Sequence, residues 1–498
     1  MPNKRKTVAK KGRTSSLEPP HNQGRRKFLK QAAGISALTA ASPALLGESP
    51  DLSPVRPHGV KNCIVLVVDG MGRGTLSTTN EFSLNQTGQE LNWLKLLKDK
   101  NVSSALQNTA SQNSRVTDSA AASSAWASGQ RIPNGRINVT AEGKELEPVF
   151  KRAKAHGKAI GLVSTTRITH ATPASFVASV KDRNDELSIA QQYLDQEIDL
   201  LMGGGSRYFN QEDSQLLKAF QASGYTCVDS VDALLANEKR TKLLGLFAES
   251  HLPYAIDRKY AKQHFQVPSL SAMFRIALNN LSQNEAGFCL QVEAGRVDHA
   301  GHAKDVAAIV EEQLEFDQCI PIAVDFVDQN PDTLLIITTD HGTGGCQFNG
   351  FGEAYGGSNL TMRRISKIRA SFESLAESTL RLNRADRNLF RSQLGINLSS
   401  EDASVIQSML EGDYRIQASG YRDTLAGSES GFQHDYLAAN LSSYFESYFF
   451  KHTGIGWTSN AHTAELVDLI AYGAESESLP KYIQNYELCA LIRNALKI

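Results

Sequence analysis

The sequence predicts an α/β protein: a mostly parallel central sheet with helices on both faces. Three observations carry this. Short apolar runs rich in Val, Ile and Leu recur after residue 60 and read as strands buried on both faces. Helix-favouring stretches separate them, and strand–helix–strand alternation implies parallel pairing. Several runs end in carboxylates and imidazoles, and open α/β sheets place their sites just past the carboxyl ends of strands.

In order, NCIVLVVDG is the first strand, and GKAIGLVST, EIDLLMGGG, GFCLQVEAG and TLLIITTDHG are further ones. Helices are expected at 146–155, 271–281 and 305–325. From about 361 to 411 the chain is polar and helix-favouring; Gly, Ser and Tyr then dominate up to GWTSNAHTAEL. Residues 347–456 therefore read as an inserted cap over the ligand-bearing edge. The α/β domain is assigned to 48–346 and 457–498, and a leader to 1–47.

The leader is basic. Residues 1–30 hold ten Lys and Arg against one Glu, so a formal charge of −1 leaves the rest of the chain acidic. That excludes a broad nucleic-acid surface. GRRKFLK (Arg25, Arg26) before a mild apolar stretch resembles a twin-arginine export signal cut near 42–48. No later apolar run reaches the ~20 residues that span a bilayer. A soluble periplasmic or extracellular protein without stable membrane insertion is expected. Of the six cysteines, Cys63 and Cys289 fall inside apolar strands and no CxxC occurs, so most are read as buried free thiols.

The chemistry lies in a few segments. Asp69 closes the first strand before Gly70 and Gly72 and suits a metal at a sharp turn; alone, it is as well explained as a helix cap. VTDSAAASSAWASG predicts a helix starting near Asp118 and Ser119, where free N–H groups favour an anion. Ser119 there could attack phosphorus, or the pair could serve only as an N-cap. His170 and Thr172, two apart, point the same way if the segment is extended. Arg183 is a candidate clamp for a phosphoryl group. Asp298 and His302, at i and i+4, can share a metal, with Glu293 at the strand end before them. Asp340 and His341 follow the last strong strand, and His462 could complete a set.

Together these segments resemble the alkaline phosphatase family, over about 60–345 and again around 455–470. The resemblance implies two Zn2+ and one Mg2+. Asp298, His302 and His462 would hold the first zinc; Asp69, Asp340 and His341, with Ser119, the second. Asp69, Thr172 and Glu293 would bind magnesium, with His170 in the shell of that third ion, where a softer imidazole weakens the case for magnesium. Arg183 would grip two phosphoryl oxygens; His299, beside Asp298, could reach phosphate through water or merely pack. The implied activity is hydrolysis of phosphate monoesters, releasing inorganic phosphate through a phosphoserine on Ser119 and rising into alkaline pH. Family members are often dimeric, which admits a homodimer. Two alternatives are weighed. A phosphodiesterase or nucleotide pyrophosphatase fits less well with Arg183 and Glu293. A non-catalytic metal-binding relative should lack ligands, and none is missing. A sulfatase would need a CxPxR-like frame that VTDSAAA lacks.

Overall fold

The run Asn62–Val68 forms β1, and its burial shows why a continuous apolar stretch stands there. Ile64, Leu66 and Val68 pack into the core on one face of the sheet; Cys63, Val65 and Val67 pack into the core on the other. The structure is a computed structural model and describes residues 59–210, 215–260, 266–412 and 429–498. The expected export leader lies outside these residues.

The remaining strands are β2 (Ser103–Asn108), β3 (Ala159–Arg167), β4 (Leu200–Gly204), β5 (Thr226–Val228), β6 (Leu243–Leu246), β7 (Phe288–Ala294) and β8 (Thr333–Thr338). Then come the two-residue β9 (Gly342–Thr343), β10 (Gln347–Phe348), β11 (Ile455–Gly456) and β12 (His462–Thr463), and finally β13 (Val467–Gly473) and β14 (Tyr482–Gln484). Ten of them make one sheet in the order β14-β2-β13-β8-β1-β7-β3-β4-β6-β5. Every pairing in it is parallel except those of β13, which runs antiparallel to β2 and β8. The parallel α/β sheet predicted from the sequence is thus present, and the five strands read from it are β1, β3, β4, β7 and β8.

Two expectations about helices need correction. The stretch 305–325 is two helices, Val306–Asp317 and Cys319–Gln329. Pro321 is the cause: its ring would clash with the carbonyl of Asp317, so it is tolerated only in the first turn of a new helix. The segment after 411, read as Gly-, Ser- and Tyr-rich, contains a 25-residue helix, Glu429–Thr453. Leu437, Leu441 and Phe445, four apart, fall on its buried face. All six cysteines are free thiols. No helix among the described residues is long and apolar enough to cross a membrane.

Residues 347–456 leave and rejoin the sheet side by side, because β10 pairs with β11 and Gln347 stands opposite Gly456. The helices between them include Phe372–Leu382, Arg387–Leu394 and Ser400–Leu410. Their apolar residues, Phe372, Leu375, Phe390 and Ile406 among them, join the core on the β1 Ile64–Leu66 face.

Candidate metal centre

Four neighbouring strands, β8, β1, β7 and β3, deliver most of the centre from their carboxyl ends. Asp340 and His341 follow β8, Asp69 follows β1, Glu293 lies in β7, and His170 and Thr172 follow β3. Val67 of β1 lies opposite both Glu293 and Thr338, which sets these ends level. Asp298 and His302 come from the helix Arg296–His302 just after β7. His462 reaches the same edge from elsewhere in the chain. Because β13 is antiparallel, its beginning lies where the parallel strands end, and β12 just before it pairs His462 with Thr343.

Gly70 makes this convergence possible. Its φ of +74° suits glycine, and a Cβ there would come within 2.6 Å of the Asp298 Cα. Asp69 is no helix cap: the helix Arg73–Thr87 starts after Gly72 without a side-chain cap. Asp118 does cap the helix Ser119–Ser128, accepting from the Ala121 N–H, and its other oxygen takes Arg183 Nη1 at 3.1 Å. Ser119 therefore stands at the first helical position, 3.3 Å from His341 Nε2 and almost wholly buried. The expectation of an extended segment at 170–172 is not met: His170 is the residue before the short helix Ala171–Ser175, and Thr172 lies in its first turn. Both still converge on Asp69. Thr172 Oγ1 donates to Asp69 Oδ2 at 3.3 Å, and ligand atoms of His170, Glu293 and Asp69 lie within 4.8 Å of one another.

The carboxylates share a pattern. At Asp69, Asp340 and Glu293 one oxygen is tied to the chain and the other turns into the centre. Asp340 Oδ1 accepts from the N–H groups of Gly70 and His341, each at 3.0 Å, and Glu293 Oε2 accepts from Ser164 and Thr166. Asp69 Oδ1, Glu293 Oε1 and His170 Nδ1 are buried with no hydrogen-bond partner among the described residues, and Asp340 Oδ2 faces only the His341 ring. Such atoms are costly unless something binds them.

The imidazoles point to the same conclusion. His302 Nδ1 lies 2.7 Å from the Asn460 carbonyl, and His462 Nδ1 lies 2.8 Å from the Thr117 carbonyl. Carbonyls only accept, so both Nδ1 atoms carry protons and the neutral rings turn lone pairs inward. Those Nε2 atoms face each other at 3.0 Å, and the Asp298 carboxylate is 3.3 and 3.5 Å away. Two such nitrogens beside a carboxylate call for positive charge between them, a shared proton or a metal cation. Three groups of this kind are present: Asp298–His302–His462, Asp69–Asp298–His341 and Asp69–His170–Glu293. In the second, Asp298 stands where the resemblance implied Asp340. Asp340 Oδ2 is nonetheless 3.0 Å from His341 Nε2, and so belongs to the same centre.

Electrostatics match. Burial, then the charges of Asp340, Asp298 and Glu293, hold the Asp69 carboxyl well above the ordinary range. Burial pushes Glu293 up to about 7 against the Ser164 hydrogen bond. At Asp298 burial is the largest influence, but the imidazoles of His302, His462 and His341 outweigh it and hold the carboxyl well down. Burial and then His341 lower His462 to about 3, and burial and then Arg183 lower His170 well below its usual value. Burial lowers His302 and His341 too, but the carboxylates of Asp298 and Asp340 outweigh it and raise both. This nest of buried acids and imidazoles therefore draws positive charge and is a donor set for borderline and hard cations.

A cleft of 540 Å³ opens onto Ser119, His170, Arg183, Asp298, His302 and His462. Arg183 Nη2 also meets His170 Nε2 at 3.1 Å, so the guanidinium is fixed from two sides. All eleven residues singled out in the sequence are thus at one edge of the sheet. The sequence reading missed Thr117 and Asn460, whose backbone carbonyls carry no side-chain signal, and Thr343, whose hydroxyl donates to Asp298. It also missed Arg167 and His251 on the far wall of the cleft. No residue from 347–456 lines the cleft among the described residues.

Comparison with known proteins agrees. The family model described as Alkaline phosphatase matches residues 60–498. Alkaline phosphatase 3 of Bacillus subtilis is 32% identical, covering 95% of this chain and 98% of the relative. The Escherichia coli alkaline phosphatase is 28% identical over 67% of this chain and 80% of its own. Among solved structures, the Thermus thermophilus alkaline phosphatase is similar with a TM-score of 0.78 and 34% identity, covering 91% of this chain and 96% of that one.

Proposed function

The chain belongs to the alkaline phosphatase family of phosphate-monoester hydrolases, and on that premise we propose that it is an exported, metal-dependent enzyme working through a phosphoserine at Ser119. The observation that carries the metal reading is the set of buried, bare donor atoms at one sheet edge. Asp298, His302 and His462 would hold one zinc ion. Asp69, Asp340 and His341 would hold a second beside Ser119. Asp69, Thr172 and Glu293, with His170 close by, would hold a third ion, magnesium or a softer substitute. Bound there, the ions supply positive charge for the attacking and leaving oxygens and lower the pKa of hydroxyl and water.

The chain's own groups do the rest. Arg183, held by Asp118 and His170, grips two non-bridging phosphoryl oxygens and turns phosphorus towards Ser119. Ser119 Oγ, its proton given up to water, forms a bond to phosphorus as the alcohol's oxygen departs with the phosphorus–oxygen bonding pair and takes a proton from water. The free N–H groups of its helix start face the negative charge. Water then opens the phosphoseryl bond, releasing phosphate and restoring the hydroxyl. The Thr117 and Asn460 carbonyls keep both imidazoles turned inward throughout. Export rests on the Arg25–Arg26 leader, which lies outside the described residues.

Hydrolysis of p-nitrophenyl phosphate at alkaline pH tests the reading, with metal-loaded protein, after chelation, and with Ser119→Ala. Turnover that needs metal and collapses in the variant is expected. Folded, metal-loaded protein without turnover would overturn it.

A further inference from the structure

The cleft extends past Arg183 to a second wall formed by Arg167, His251 and His299. Arg167 is locked in place from behind. Its Nε lies 2.8 and 2.9 Å from the two Glu186 oxygens, and Thr169 donates to Glu186 as well. Glu186 is buried and fully engaged, which leaves the Nη1 edge of Arg167 facing His251.

That contact cannot be satisfied within the protein. His251 Nδ1 lies 3.2 Å from the Arg167 backbone N–H, and His251 Nε2 lies 2.5 Å from Arg167 Nη1. Both Arg167 groups can only donate, whereas a neutral imidazole has one acceptor nitrogen and one donor. Whichever tautomer forms, one proton-bearing nitrogen faces another and an acceptor is missing. The next ring repeats the theme. His299 Nδ1 accepts from Arg296 Nη1 at 3.0 Å, so its proton is on Nε2, and that proton has no acceptor among the described residues. The His251 and His299 ring centroids are 4.4 Å apart, and they lie 5.8 and 5.7 Å from the His170 ring.

We propose that Arg167, His251 and His299 form a subsite for a second phosphoryl group carried by the substrate. Its oxygens would supply the acceptors this wall lacks. This wall and the Ser119–Arg183 grip line the same cleft but share no residue, which suits a bisphosphate whose two groups are separate esters on one molecule. Arg183 would grip the reacting phosphate and the Arg167–His251 edge the spectator. The inference rests on the phosphatase reading above.

The test uses metal-loaded Ser119→Ala protein, which removes the nucleophile, and calorimetric binding of inositol 4,5-bisphosphate and inositol 4-monophosphate. A hydrogen-bonded charge at the second wall should make the bisphosphate about tenfold tighter, beyond the ~twofold advantage of presenting either of two phosphates. Adding His251→Phe or His251→Met, neither of which offers a ring nitrogen, should reduce the ratio to that statistical level. Adding His251→Gln, which retains an N–H donor, should keep part of it. Equal affinities, a preference that survives both donor-free variants, or no binding of either ligand would overturn the subsite. Monoester turnover by the unmodified enzyme alongside equal affinities would sink the subsite and leave the phosphatase reading standing; absent turnover would strike that reading instead.

Discussion

The ligand-bearing edge of the sheet and the inserted segment 347–456 are finished in opposite ways. In the insertion, local polar needs are met by the chain. Ser371, Asp386 and Ser399 each cap the helix that follows, Ser399 in a reciprocal box with Asp402. Its apolar faces close around Phe372, Phe390 and Phe445. At the sheet edge, carboxylate oxygens and imidazole lone pairs are buried facing one another with nothing to bind. One region is complete on folding; the other, on the reading proposed above, is completed by cations. Their polar contacts include Asp257 with Ser371, Asp305 with the Phe372 N–H, Ser442 with the Ala303 carbonyl, Lys304 with Glu446, and Arg296, which joins Glu373 to His299.

Metal removal should separate the two most sharply. Chelation is expected to abolish turnover and to cost several kcal/mol of stability. Hydrogen exchange should rise around 119–128 and 296–302 while 372–382 stays protected. Uniform loosening would break the contrast. Phe445→Ala should do the reverse, lowering stability by about 3–5 kcal/mol while metal still raises the melting temperature as it does in the parent. Arg183→Ala should reduce kcat/KM by about 10–100-fold, the scale of a lost charge-assisted pair, with little change in the melting curve.

A further expected effect is a pH slope at the junction. Burial raises Asp257 from 3.8 to about 7, against its hydrogen bonds from Ser371. A carboxyl raised on folding binds its proton more tightly in the native state. Stability should therefore fall as pH climbs from about 4 to 7 and stay lower above. Melting of Asp257→Asn against pH should show a shallower fall, with Asp305, raised to about 6 by burial, keeping the same sign. A slope unchanged by Asp257→Asn would remove Asp257 from the account.

Much of this was legible in the sequence because strand-end chemistry is local. Asp69, Glu293 and the Asp340–His341 pair each lie within or just past an apolar run that reads as a buried strand, and the Asp298–His302 spacing is helical. What was illegible depends on topology. Nothing near His462 reveals that β13 runs antiparallel, yet that direction brings it to His302. The polar β2 and three-residue β5 carry too little apolar signal to stand out. The helix Glu429–Thr453 did carry one, in Leu437, Leu441 and Phe445, but surrounding Ser and Tyr obscured it. The sequence reads the insertion as a roof over the site; its described residues line none of the cleft but reach the helix of Asp298 and His302 through Arg296 and through Ser442, which donates to the Ala303 carbonyl.

The central claim is that the chain builds a metal centre to make Ser119 a nucleophile towards phosphorus. Acid quenching of the metal-loaded enzyme during turnover, followed by mass spectrometry of the peptide that contains Ser119, tests it most directly. The account predicts one added phosphoryl group on Ser119, absent after chelation and in Ser119→Ala. Full turnover with phosphate on another residue, or with no phosphorylated peptide and an active Ser119→Ala, would contradict it.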